Sequence, residues 1–241
     1  MRHLVTSEFT KVRTIRSTVA TLLLMAATTI GTALLVALTG SLHPGETALA
    51  GALGNSGVGL VVAGAFGVLV VSTEYSSGTM RATCAASPRR GAVLTAKVFV
   101  TAAPVFVVAL VAAAIAYGVA GVLLDRASHP LGEPFPALFG VAACHAVAAL
   151  LGLALGTALR NAAAGVSAVV GALLVPTLIG PLLGDAQPWV NGATPVAALQ
   201  KLVGPTEGLG SLAAWPTVAL MAAYTAAGLA ASTYLFRTRD I

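Results

Sequence analysis

The side chains in this chain best suited to chemistry are Ser56 and His145. Ser56 sits in Gly54-Asn55-Ser56-Gly57 near the start of one apolar run, and His145 lies inside a later one. A serine held about 3 Å from a histidine is a nucleophile with its general base. Depth counts against the pair. Ser56 is about three residues into its run and His145 about eight, roughly 7 Å apart along the axis at 1.5 Å per residue. A glycine-flanked serine is also expected from small residues at helix contacts in a chain with 26 glycines. His145 alone is compatible with a proton relay, a cargo contact in the lumen, or a packing residue bonded to a backbone carbonyl.

Other chemistry is missing from the sequence. There is no GxxxxGK[ST] phosphate loop, so an ATPase site is not expected on this chain, and no His, Cys, Asp and Glu cluster has metal-ligand spacing. Cys84 lies in a polar loop and Cys144 in an apolar run, so both are expected to be free thiols. None of the apolar stretches carries a carboxylate, the usual ion relay of proton- or sodium-driven carriers. Catalytic, cofactor-binding and metal-binding residues are therefore all expected to be absent.

The elements that hold these residues follow from composition. Of 241 residues, 57% are hydrophobic and 9% charged, and the mean hydropathy is +0.92, too little polar surface for a water-soluble globule. Six uncharged apolar stretches are each long enough to cross a bilayer, at about residues 19–38, 53–72, 98–120, 137–159, 162–183 and 212–236. Their hydrophobicity is continuous and lacks the period of two of a barrel strand, so the fold class is an all-α integral membrane bundle, one transmembrane domain over residues 1–241. Lys and Arg in alternate connecting segments number 11 on one side and 2 on the other, which puts both termini in the cytoplasm. The net charge of +5 is thereby explained by topology, and nucleic acid is not an expected partner.

Three connections have structure of their own. Residues 1–17 place Val5, Phe9, Val12 and Ile15 at helical intervals, with Lys11, Arg13 and Arg16 among the polar positions, which reads as an amphipathic helix on the inner lipid interface. The loop 74–97 is the longest polar cytoplasmic stretch. Within it Gly78 and Pro88 bracket a segment, 79–86, that suits a short helix docking into a partner's groove, with Met80 and Cys84 on one face and Arg81, Arg89 and Arg90 free to meet carboxylates. Outside, residues 184–211 form a long connection in which 195–203 shows helical spacing too short to span. Pro176 and Pro181 are expected to kink the fifth span, and Ala148, Gly152 and Gly156 to permit close helix approach in the fourth.

This arrangement resembles the membrane subunit of a type-2 ATP-binding-cassette (ABC) transporter, a bacterial half-transporter permease. The residues that carry the resemblance are Glu74 at the end of the second span, Gly78-Thr79, Ser87-Pro88 with Arg89-Arg90, Ala96-Lys97 opening the third span, and the opening SEFTKVRTIRST from Ser7 to Thr18. The resemblance implies an interfacial helix before six spans and a coupling helix whose loop, Glu74, Gly78, Thr79, Met80, Arg81, Cys84, Pro88, Arg89 and Arg90, contacts the ATPase subunit. It implies an exporter that forms its path as a dimer, with two ATPase subunits holding ATP and Mg, and with a second permease that is a copy or a related chain. The segment MRATCAA departs from the more acidic, leucine-rich coupling segment of many members. The ratio of ten arginines to three lysines points to a GC-rich bacterial genome, hence a bacterial cell membrane. The alternative class is a membrane protein without an ATPase, either a carrier, a scaffold, or a protease resembling rhomboids through Ser56 and His145. No residue cluster selects a cargo.

Overall fold

The computed structural model describes residues 2–43, 45–80, 90–204, 209 and 212–238, without the side chains of Arg2, His3, Arg90, Pro181, Trp189 and Arg237. Among the described residues every regular element is helical. In chain order they are α1 (Arg2–Thr14), α2 (Arg16–Thr39), α3 (Ala48–Leu53), α4 (Gly57–Ser76), α5 (Arg90–Leu123), α6 (Pro134–Leu159), α7 (Ala162–Ile179), α8 (Gln187–Gly192), α9 (Pro195–Val203) and α10 (Ala214–Thr238). Six spans of sufficient length and hydropathy result, with α3 and α4 together forming the second.

Two spans are broken or cut short relative to their sequence reading. The second begins at Ala48 and is interrupted at residues 54–56, where the Gly54 N–H still bonds the Ala50 carbonyl and the Ser56 N–H bonds that of Leu53. The glycine-serine motif is thus a helix break that a small residue and a self-bonding hydroxyl tolerate. The fifth span ends at Ile179 and gives way to 3-10 turns at Gly180–Leu182 and Gly184–Ala186, so Pro176 lies inside α7 whereas Pro181 lies beyond it. A ring with no N–H at the start of a turn costs no hydrogen bond.

Helices α4 and α6 form the axis of the bundle. Two thirds of α6's most apolar stretch is buried (67%), against 17% for α7. The reason is a seam of glycines. A Cβ on Gly67 would run into the Ala149 carbonyl, and one on Gly152 into the Gly64 carbonyl, so backbone lies on backbone. Gly156 continues the seam, its missing Cβ only 3.1 Å from the Val68 Cα. Without a hydrophobic drive between helices in lipid, such close approach supplies association through dispersion and carbonyl contacts. The expectation of tight packing at Ala148, Gly152 and Gly156 holds, and the partner is α4 of the same chain.

At the end of the bundle away from α1, the Ala48 and Leu49 N–H groups bond the Pro130 and Leu131 carbonyls, pinning α3 to the 124–133 connection. Helix α9 forms where its apolar spacing predicts, capped by the Thr194 hydroxyl. Lys201 on α9 is buried, donating to the Gly192 carbonyl and to Thr217 Oγ1, each at 3.0 Å. That ammonium ties α8, α9 and α10 together, and burial pushes its pKa below the ordinary lysine value.

Candidate functional site

The chemistry-bearing pair of the sequence is not assembled. The Ser56 hydroxyl donates to the Leu53 carbonyl at 2.7 Å, and His145 pairs Nδ1 with the Val141 carbonyl of its own helix at 2.8 Å while Nε2 has no hydrogen-bond partner among the described residues. No serine-histidine hydrogen bond exists to activate a nucleophile. His145 packs as a helix-contact residue over Gly59, whose missing Cβ would lie 2.8 Å from His145 Nε2 and 2.7 Å from Thr29 Oγ1. Gly59 therefore lets α2 and α6 close over α4 at this level. Among the described residues no group of His, Cys, Asp and Glu is arranged to hold a metal.

The electrostatic centre lies instead where α1, α4 and α5 meet. Glu8 and Lys11 lie one turn apart on α1, Glu74 is in the last turn of α4, and Lys97 is two turns into α5. Lys97 Nζ lies 2.6 Å from Glu8 Oε2 and 2.8 Å from Glu74 Oε1, and Lys11 Nζ lies 2.6 Å from Glu8 Oε1 and 2.8 Å from Glu74 Oε1. The four groups form a closed ring of alternating sign, and each lysine bridges both carboxylates. Lys97 is 1% exposed, Glu8 2% and Glu74 4%, with only Lys11 reaching solvent.

Two lone charges at the ends of apolar helices would each lose several kcal/mol of hydration on burial, so they are tolerable only when paired and hydrogen-bonded. The ring satisfies that condition with zero net charge. Burial works to raise the Glu8 carboxyl, but the charge of Lys97 and the hydrogen bonds from both lysines outweigh it and hold the group below its ordinary 4.5. Burial likewise works against the Lys11 ammonium, and its bonds to Glu74 and Glu8 hold it above 10.5. Both shifts favour the ionised forms. Glu74 Oε2 is buried and accepts no hydrogen bond among the described residues.

With the second span ending at Ser72, the sequence places no carboxylate inside a span. Helix α4 in fact continues to Ser76, so Glu74 is a buried carboxylate at a span's end. Of the residues named for the ATPase-facing loop, Glu74 and Met80 are buried, Gly78 takes the left-handed φ of +72° that ends α4, and Thr79 is exposed, its Oγ1 2.8 Å from Ser77 Oγ. Arg81, Cys84, Pro88 and Arg89 lie outside the described residues, as does the side chain of Arg90. Of those named for the lipid interface, Phe9, Arg13 and Arg16 are exposed, Val12 enters the core, and Lys11 belongs to the ring. The sequence reading gives Glu8 and Lys97 no site role, although both lie in stretches that carry the family resemblance. The available signal was their isolation, a single acid and a single base where apolar helices meet. Beside the ring, the Arg160 guanidinium at the end of α6 lies over the Tyr75 ring, 5.6 Å from its centroid.

A search of curated proteins returns no match. A family model described as ABC-2 type transporter matches residues 2–185, from α1 through all of the first five spans and so including every member of the ring. Six apolar helices long enough to cross a bilayer, with that match over most of their length, make this chain a member of the ABC-2 type transporter family, and so a membrane permease component of an ABC transporter.

Proposed function

We propose that the chain is the permease subunit of an ATP-driven exporter in a bacterial cell membrane, working as a dimer of permeases with two separate ATPase subunits that bind ATP and Mg. The observation that carries this reading is the family match over residues 2–185 in a sequence without a phosphate loop. Dimerisation is supported by the packing: six helices with a glycine seam at their axis leave little room inside one bundle, and α7 has a largely uncovered apolar surface. A twofold pair of bundles offers a route between them. Export is the family's common direction. The cargo class is left open by the side chains of this chain.

In this reading the 74–97 connection receives the ATPase, and α1 lies on the inner lipid interface with Phe9 toward acyl chains and Arg13 and Arg16 toward phosphates. The test is purification from native membranes with the ATPase encoded beside it. Wild-type permease should bring down two permease and two ATPase chains, and Arg89→Glu with Arg90→Glu should weaken that association at least tenfold with normal insertion, since reversed charges repel an acidic dock. Undiminished association in the double variant would place the contact elsewhere, and a complex with one permease chain would remove the dimer.

The charge count predicts orientation as well. A cysteine replacing Gly45, which lies at the end away from the ring, should react with a membrane-impermeant reagent applied to intact cells, while native Cys84 should react only after permeabilisation. The reverse pattern would invert the topology.

A further inference from the structure

We propose that the ring of Glu8, Lys11, Glu74 and Lys97 is a mechanical joint that makes α1 move with the base of the 74–97 connection, its members acting as positioning residues for coupling between ATPase and spans. The inference rests on the reading that this connection receives the ATPase.

Three observations lead to it. First, the connection is closed at its base. Glu74 and Lys97, 23 residues apart, share one hydrogen bond at 2.8 Å, so whatever displaces the segment between them loads both ends of that bond. Second, the load has a stiff path. Helix α5 is continuous from Arg90 to Leu123, 34 residues and about 51 Å at 1.5 Å per residue, well beyond a hydrocarbon core of about 30 Å. Lys97 sits within its first two turns, and a shift at the start of α5 is transmitted to its ammonium without an intervening loop. Third, α1 is built to respond as one piece. It is a 13-residue helix joined to α2 through the single extended residue Ile15 (φ −77°, ψ 117°), and the Thr18 hydroxyl clasps that corner by donating to the Val12 and Ile15 carbonyls, each at 2.7 Å. The ring grips α1 at Glu8 and Lys11, between this pivot and the helix's first residue, Arg2.

A buried charge cluster suits such a joint better than apolar contact. Apolar surfaces slide past one another with gradual loss, whereas lifting α1 off α4 and α5 breaks two of the ring's four ion pairs together, Lys97–Glu8 and Lys11–Glu74, in a largely buried place. Alternation around the ring reinforces this, because each carboxylate answers to lysines on two elements. Displacement of α5 or of the end of α4 therefore carries α1 with it, and α1 is continuous through Ile15 with the first span.

The experiment uses the intact permease–ATPase complex in lipid nanodiscs, in a background with Cys84 and Cys144 replaced by alanine. Spin labels go on the exposed positions Thr10 of α1 and Ala163 of α7, each replaced by cysteine, and their distance is measured with and without ATP and vanadate. The wild-type background should show a nucleotide-dependent shift of about 2 Å or more, the scale of helix shifts in switching proteins. Lys97→Met with Glu74→Gln removes one positive and one negative member together and leaves Glu8 paired with Lys11. This double variant should keep ATPase association while losing the shift. Inverting all four members, Glu8→Lys, Lys11→Glu, Glu74→Lys and Lys97→Glu, restores the alternation and should restore the shift. A shift that persists in the neutral double variant, that is missing from the wild-type complex, or that is not recovered in a folded fourfold inversion overturns the proposal. Failure of the docking reading looks different: ATPase association then survives Arg89→Glu with Arg90→Glu, whatever the label distance does.

Discussion

Gly152→Leu is expected to abolish the folded permease, and Gly152→Ala should already lower its thermal stability sharply. The Cβ of the new residue falls on the backbone of Gly64, which no side-chain rotation can clear, so α4 and α6 have to separate along their shared axis. Overpacking a well-filled core costs about 1 to 3 kcal/mol and more when backbone must move, and here separation also opens the facing contact between Gly67 and the Ala149 carbonyl. Gly118 and Gly171 provide the controls: both are helical and neither has a neighbour within 4 Å of a built Cβ, so alanine at either should be nearly neutral. Thermal unfolding in a mild detergent, followed by tryptophan fluorescence, checks the contrast. Equal melting temperatures for Gly152→Ala and Gly171→Ala would show that the seam is not where the bundle is held.

The second large effect belongs to Lys97. Replacing it alone by methionine leaves Glu8 and Glu74 with Lys11 as their remaining partner in the ring, and removal of one member of a buried ion pair costs about 3 to 5 kcal/mol. Adding Glu74→Gln should recover much of that loss, because the surviving pair is again neutral and a carboxamide tolerates burial better than an unpaired carboxylate. The double variant is therefore expected to melt well above Lys97→Met, a non-additivity that a mutant cycle on the isolated permease measures directly. Additive losses would mean that the two side chains stabilise the protein independently and that their 2.8 Å approach carries little energy.

The sequence makes some of this architecture plain and hides the rest for physical reasons. Continuous apolar length betrays a spanning helix wherever it occurs, and the spacing of Val5, Phe9 and Val12 or the run 195–203 betrays a short one, so α1, α9 and the six spans are all legible. Their ends are not. A hydropathy reading stops at the first charge, whereas helices α4 and α5 continue through Glu74 and Lys97 because each charge meets its opposite in the folded chain. The contact between Glu8 and Lys97 joins positions 89 apart and has no local signature. Ser56 and His145 show the opposite failure. Their types suggested a reaction, but a serine bonded to Leu53 and a histidine bonded to Val141 are occupied with their own helices. Family membership, by contrast, was readable from the order of the elements and the residues around Gly78, and the match over residues 2–185 agrees with it.

The uneven burial of the six spans also divides the chain by how much of its text is fixed. Along the most apolar stretch of α6 two thirds of the residues are buried, and at its seam glycines even one added methyl group is felt by a neighbouring backbone. Along the apolar stretches of α2, α7 and α10 only about a fifth are buried, and on their exposed faces leucine, valine, isoleucine and phenylalanine are near-synonyms to lipid. Information about this fold is therefore concentrated in two helices and one ring of charges. The remaining spans are free to drift in wording while keeping their meaning, except where a second subunit reads them.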